Sequence, residues 1–132
     1  GIYSNESNIL ARLKSGKAKI VNRKNNFFSR IHVEDIANIL FESLLNFKPG
    51  EVYNISDDKP ATSEAVTLYG AKLLSMNIPK RIEIKDIESE MLKNFYKDSK
   101  KVSNEKLKKY FKYNLKFPTY IEGLNFIKNN II

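Results

Sequence analysis

An α/β fold is expected from three patterns that recur along the chain. Short β-compatible runs lie at residues 18–22, 27–31, 51–55 and 81–85, five amphipathic helical stretches are interleaved with them, and turn formers rather than long linkers separate the two. No internal repeat or low-complexity tract interrupts the pattern, so residues 1–132 read as a single domain or part of one.

Ser7 is placed to cap a first helix over residues 8–14, with Ile9, Leu10 and Leu13 on one face and Gly16 closing it. Residues 18–22 follow as a strand, Lys24-Asn25-Asn26 as a turn, and 27–31 as a second strand. The clearest element is a helix over 33–47, where Ile36, Ile39, Leu40, Leu44 and Phe47 recur at helical spacing as a core-facing stripe. His32 stands at its N-cap, and Asp35 is spaced to reach back to the cap's backbone N–H as in a capping box. Lys48-Pro49-Gly50 ends the helix, 51–55 is a strand, and Ser56-Asp57-Asp58-Lys59-Pro60 is a turn.

Thr62 or Ser63 caps the next helix, whose buried stripe is Val66, Tyr69, Gly70, Leu73 and Leu74. Residues 81–85 alternate as a half-exposed strand, and 88–100 fits either one helical turn or two. Ser103 is expected to cap a helix with Val102 and Leu107 as a hydrophobic staple. Thr119 and Glu122 form a capping-box pair for the last helix, with Ile121, Leu124 and Ile127 facing inward.

Composition narrows the function classes. An apolar share of 42% with 29% charged residues is that of an ordinary globular chain rather than a disordered one. No apolar run approaches the roughly 20 residues that cross a bilayer, so no membrane role is expected. The chain has no cysteine, which removes disulfides and thiolate metal sites and fits a reducing, cytoplasmic setting. The net charge of +8 raises nucleic acid as a partner. The excess is nearly all lysine, however, with Arg12, Arg23, Arg30 and Arg81 the only arginines, and Lys, Asn and Ile are what an AT-rich genome encodes at permissive positions. The aromatics among the lysines of 97–112 have helical spacing and belong to a buried face, so nucleic-acid binding is not expected.

Several segments in order resemble a known family. Gly1-Ile2-Tyr3, then Phe28-Ser29-Arg30-Ile31-His32-Val33-Glu34-Asp35-Ile36, then Val52-Tyr53-Asn54-Ile55-Ser56-Asp57-Asp58-Lys59-Pro60 are similar to the C-terminal half of NAD(P)-dependent epimerase/dehydratase proteins, the extended or atypical short-chain dehydrogenase/reductases. Lys101-Val102-Ser103-Asn104 and 117–124 are similar to the end of a bacterial branch described as nucleoside-diphosphate-sugar epimerases. The resemblance covers essentially the whole chain. It implies the C-terminal, substrate-side part of a Rossmann-type fold, with NAD or NADP as the complete protein's cofactor and the dinucleotide-binding half missing.

Neither the family's glycine-rich turn nor its Tyr-x-x-x-Lys at the expected position is present. The five glycines are scattered, and Tyr96-Lys97-Asp98-Ser99-Lys100 matches the string far downstream of that position. No catalytic residue and no metal site is therefore assigned, and this chain alone is not expected to bind the cofactor. A start at Gly1 without an initiator methionine or signal pattern adds to the expectation of a piece of something larger.

The site residues follow from the resemblance. Tyr3 is placed near the cofactor, although the Gly-Pro loop usual after it reads Ser4-Asn5-Glu6, and ordinary packing is the alternative. Sugar-nucleotide members carry an Arg-Asp-aromatic triplet where this chain has Phe28-Ser29-Arg30. An arginine moved by two residues keeps its face of a strand, so Arg30, with Phe28 beside it, can still meet a substrate phosphate or carboxylate. The alternative is a structural ion pair with Glu34 or Asp35. His32 reads as a cap rather than an acid or base, and Asp57 with Asp58 as an Asx-type turn.

The expected function is substrate binding within an NAD(P)-dependent epimerase, dehydratase or oxidoreductase that is incomplete in this chain. The alternative is a stand-alone or vestigial non-enzymatic binding domain from a split or decayed gene. The expected partners are a small-molecule substrate and either the missing half or a second copy. Either of the latter would cover strand 51–55, which alone is an unpaired edge.

Overall fold

The computed structural model describes residues 1–46 and 48–132; Phe47, assigned above to the stripe of the second helix, lies outside the described residues. Among the described residues there are six helices and six two-residue strands: β1 (Ile2–Tyr3), α1 (Ile9–Lys14), β2 (Ile20–Val21), β3 (Phe27–Phe28), β4 (Ile31–His32), α2 (Val33–Leu45), β5 (Ala61–Thr62), α3 (Ser63–Leu73), β6 (Arg81–Ile82), α4 (Glu90–Lys97), α5 (Glu105–Phe111) and α6 (Tyr120–Asn130). A 3-10 turn, Ile84–Asp86, separates β6 from α4.

The strands pair as three separate ladders. β1 runs parallel to β4 and β2 parallel to β6, while β3 and β5 are antiparallel, with Phe28 opposite Ala61. The expected strand over 27–31 is thus two. Its first part turns to β5 and its second to β1, and the break falls at Ser29-Arg30.

Most helix boundaries follow local chemistry. Asn8 rather than Ser7 caps α1, its Oδ1 accepting from Ala11 N at 3.0 Å while its Nδ2 donates to Ser4 O and Asn5 O. A cap that uses both ends of its amide outcompetes a neighbouring hydroxyl. Gly16 then takes the left-handed φ of +70° that closes the helix. Thr62 caps α3 through Ala65 N, and the Thr119–Glu122 capping box of α6 is present. Residues 88–100 resolve into α4, capped by Ser89. Asn104, not Ser103, is the N-cap of α5, and its side chain makes no capping bond because its amide donates to Ser56 O and Asp58 Oδ1.

Two more of the expected strands do not form as read. Residues 51–55 form no ladder among the described residues. Side chains hold the segment instead, with Lys106 Nζ on Val52 O at 2.9 Å and Asn54 Nδ2 on Ser103 O at 3.3 Å. The expected strand 81–85 stops at Ile82, because Glu83 and Asp86 form a capping box that tightens the chain into the 3-10 turn.

One apolar cluster joins α1, α3 and α6 through Leu10, Val66, Tyr120, Leu124 and Ile127. A second gathers Val21, Phe28, Ile87 and Tyr96, and a third sets α2 against the α5 region through Ile31, Ile39, Leu107 and Leu115. The stripe of α2 is only half used. Ile39 is buried, but Leu40 and Leu44 are 54% and 78% exposed and Phe41 is 60% exposed, since no described element packs against that side.

Candidate functional site

A cleft of about 560 Å³ opens between the α1–α3 face and the segment running from β6 into α4. Tyr3, Phe28 and Arg30, the three residues assigned to substrate or cofactor, all line it. Strand alternation alone does not bring them together. Tyr3 comes from β1, Phe28 from β3, and Arg30 from the break between β3 and β4.

Arg30 makes no ion pair among the described residues, so its structural alternative is not realised. Glu34 is engaged by Lys116 Nζ at 2.5 Å, and Asp35 has other donors. The guanidinium is instead tethered by Nη1, which donates to Phe28 O at 3.0 Å and to Ala61 O at 2.8 Å. Nη2 and Nε are left without a protein partner among the described residues. Burial pushes its pKa down, and nearby Asp57 opposes that shift most. An arginine held by one end and largely desolvated is arranged to grip an anion with the other.

Phe28 supplies the wall beside it. Its ring stacks on Phe95 of α4, with centroids 4.3 Å apart and planes 5° apart, and the Arg30 Cζ lies 6.0 Å from its centroid. Tyr3 is turned the other way. Its hydroxyl lies buried against α6, where a β-carbon on Gly123 would overlap it, and it has no hydrogen-bond partner among the described residues. Burial accordingly raises its pKa. Its ring packs edge-on to His32 at 4.9 Å. The phenol is thus a packing group toward α6, and only its ring side meets the cleft.

His32 and Asp35 build the start of α2, not the cleft. His32 is fully buried and caps the helix, its Nδ1 accepting from Glu34 N at 3.2 Å. Burial lowers its pKa, favouring the neutral ring that this cap requires. Asp35 does not close a capping box. Its carboxylate accepts from Tyr113 Oη (2.9 Å), Lys116 N (2.7 Å) and Phe117 N (3.0 Å), which pins the 113–117 segment to the helix.

Asp57 makes the expected Asx turn by accepting from Lys59 N at 3.0 Å, but its Oδ2 is buried without a partner among the described residues. Burial pushes its pKa up to about 6. Asp58 is held low despite partial burial by Asn104 and Lys108. Tyr96 donates to Ser63 Oγ at 3.3 Å while Lys100 pairs with Asp98 at the surface, so the Tyr96–Lys100 string does not act as a pair.

Sequence reasoning missed the outer wall of the cleft. Leu92 and Phe95 of α4 and the cations Arg12, Lys17 and Lys19 all line it. Helical spacing marked Phe95 only as apolar, and nothing local ties residues 12–19 to residues 92–95.

Apart from Gly1, the glycines among the described residues sit at helix ends or under side chains. Gly16 and Gly50, the glycines with left-handed φ, follow helix ends, and Gly70 and Gly123 are covered by side chains. Among the described residues no glycine turn therefore opens a helix N-terminus to a pyrophosphate. Among the described residues no group of three or more His, Asp or Glu side chains is placed to hold a metal ion. No described helix is long and apolar enough to cross a membrane.

No protein-family model matches the chain, and no curated protein does. Solved structures do. A functionally unknown conserved protein from Silicibacter pomeroyi superposes with a TM-score of 0.91 at 33% identity, over 98% of this chain and 46% of that one. The dTDP-glucose 4,6-dehydratase from Bacillus anthracis, solved in complex with NAD, gives 0.72 at 19% identity over 98% and 43%. A human epimerase family protein with NADPH gives 0.72 at 20% identity over 93% and 42%. The fold is that of the C-terminal half of NAD-binding epimerase and dehydratase proteins. The chain spans less than half the length of each of these three structures.

Proposed function

We propose that residues 1–132 form the substrate-side domain of an NAD(P)-dependent epimerase, dehydratase or oxidoreductase, acting in the cytoplasm with a dinucleotide-binding half supplied by other sequence. The observation that carries this reading is the match over nearly all of this chain to under half of structures solved with NAD or NADPH. In that setting the chain closes the cleft and sets specificity. Arg30 binds the substrate's phosphate or carboxylate through Nη2 and Nε, and Phe28 packs beside it. Tyr3 sits where the cleft approaches the nicotinamide side. Hydride transfer belongs to the cofactor when bound, and no acid–base step is assigned to this chain.

The apolar face of α2 is the proposed docking surface for the dinucleotide-binding half, or for a second copy when that half is absent. Leu40, Phe41, Leu44 and the nearby-in-sequence Val52 are each more than half exposed, and residues 51–55 join no ladder among the described residues. Light scattering after size exclusion tests this. The chain alone should run as a dimer, and the double variant Phe41→Ser/Leu44→Ser should shift it toward monomer by about tenfold in dissociation constant. A wild-type monomer at high micromolar concentration, with no association on adding a dinucleotide-binding half, contradicts the docking surface.

A further inference from the structure

The side chains around the cleft separate into groups already used and groups left free. Those suited to recognising hydroxyls are mostly used. Asn8 spends its oxygen and its nitrogen on backbone groups, and Thr67 Oγ1 donates to Ser63 O at 2.8 Å. Ser63 Oγ takes the Tyr96 hydroxyl, Ser89 Oγ accepts from Leu92 N at 3.3 Å, and Asp86 Oδ2 accepts from Glu83 N at 3.4 Å. Tyr3 has turned its hydroxyl toward Gly123. Ser7, Tyr120 and Glu88 remain for a hydroxyl-bearing ligand, together with the hydroxyl protons of Ser63 and Ser89 and the Oδ1 of Asp86.

The free set is dominated by cations. Arg12, Lys17 and Lys19 line the cleft without a hydrogen bond or ion pair from their side chains among the described residues, and Arg30 keeps Nη2 and Nε. Against these four stand two carboxylates, Asp86 and Glu88. Between them the wall is apolar: Val21, Ile82, Ile87 and Leu92 flank the stacked Phe28–Phe95 pair, with the buried Phe28 behind Phe95. Phe95 remains 47% exposed, so a ring edge and face are open to a ligand.

We propose that this cleft binds a small anion with a flat, apolar body rather than a polyhydroxylated sugar, the body lying on the exposed side of Phe95, which Phe28 backs, and the anionic group on Arg30. The inference rests on the cleft being the substrate site and deepens that reading by naming the ligand's chemistry. A sugar would bring several hydroxyls into a wall with few free partners, and each one desolvated without a hydrogen bond costs binding. A planar carboxylate or phosphate ester loses nothing there. Its body replaces water on aromatic surface, and its charge meets a fixed, partly desolvated guanidinium. Lys17, Lys19 and Arg12 at the exposed margin draw such anions in.

The test is a titration of the 15N-labelled 132-residue chain with three probes: 1-naphthylacetate, its neutral analogue 1-naphthylmethanol, and glucose 1-phosphate. 1-Naphthylacetate is expected to shift the amides of Phe28, Arg30, Leu92 and Phe95 saturably. The neutral analogue and the sugar phosphate should bind at least about tenfold more weakly. Phe95→Ala, at a half-exposed position that leaves the fold intact, should weaken 1-naphthylacetate about fivefold or more. Arg30→Gln should erase its preference over 1-naphthylmethanol. The inference is overturned if glucose 1-phosphate binds as tightly as 1-naphthylacetate, if the shifts fall on Leu40 and Leu44 of α2, or if no probe moves the cleft amides. None of these outcomes depends on a cofactor half, so failure here is separable from failure of the docking surface.

Discussion

Asp35 and Asp57 are both sealed from solvent, at 0% and 1% exposure, yet they do opposite things. Asp35 accepts three hydrogen bonds, two from backbone N–H groups of 116 and 117 and one from Tyr113, and so ties α2 to the chain leading into α6. Asp57 accepts one, from Lys59, and leaves an oxygen orphaned near Arg30. A carboxylate with its donors in place is a structural joint. One without them is a cost that the fold carries next to the cleft, and such costs collect at sites that bind something.

The largest effect should come from breaking the joint. Asp35→Ala strands three donors and should cost about 3–5 kcal/mol in urea denaturation; a loss below about 1 kcal/mol would mean that the clamp contributes little. Asp57 should behave the other way. Its folded pKa of about 6 lies above the unfolded carboxylate's, so between about pH 4 and 6 the folded chain holds a proton that the unfolded chain releases, and stability falls as pH rises through that window. Asp57→Asn should match wild type near pH 4 and exceed it by an order of 2–3 kcal/mol at pH 7.

His32 contributes with the opposite sign. Burial lowers its folded pKa below the unfolded value of 6.5, so its stabilisation is present above 6.5 and lost as pH falls toward the folded pKa. The Asp57→Asn variant should therefore gain stability with rising pH more steeply than wild type. The thermal midpoint of both proteins across pH 4–8 reads this directly, and parallel curves would remove Asp57 as a buried titrating group.

A smaller effect tests the boundary between the two regions, where Tyr3 sits. Gly123→Ala drives a methyl into the Tyr3 hydroxyl and should cost about 1–2 kcal/mol, with most of the loss recovered in a Tyr3→Val background. Additive losses would place the strain elsewhere.

How much of this was legible in the sequence depends on whether the controlling contact is local. The caps at His32, Thr62 and Thr119 and the stop at Gly16 were readable, because each is set within three or four residues. The spacing of Asp35 points to a local cap partner because it shows only its own helix, whereas its donors arrive from around 80 residues away. Residues 51–55 were read as a strand from β-compatible side chains, but a ladder needs a neighbour that the described residues do not provide. In the cleft, the places of Arg30, Phe28 and Tyr3 along the chain were legible by resemblance, and all three reach one cavity. The tether of Arg30 Nη1, the turn of the Tyr3 hydroxyl and the Phe95 wall were not, since each depends on a meeting between distant segments.

The most direct test is a fluorescence titration with NADH and NADPH on two proteins: the 132-residue chain alone, and a chimera in which it replaces the matched 46% of the Silicibacter pomeroyi protein. The chain alone should give no saturable enhancement, and the folded chimera should bind one of the two nucleotides with micromolar affinity. Micromolar binding by the chain alone, or a folded chimera that binds neither, would contradict its place as the substrate-side half of an NAD(P)-dependent protein.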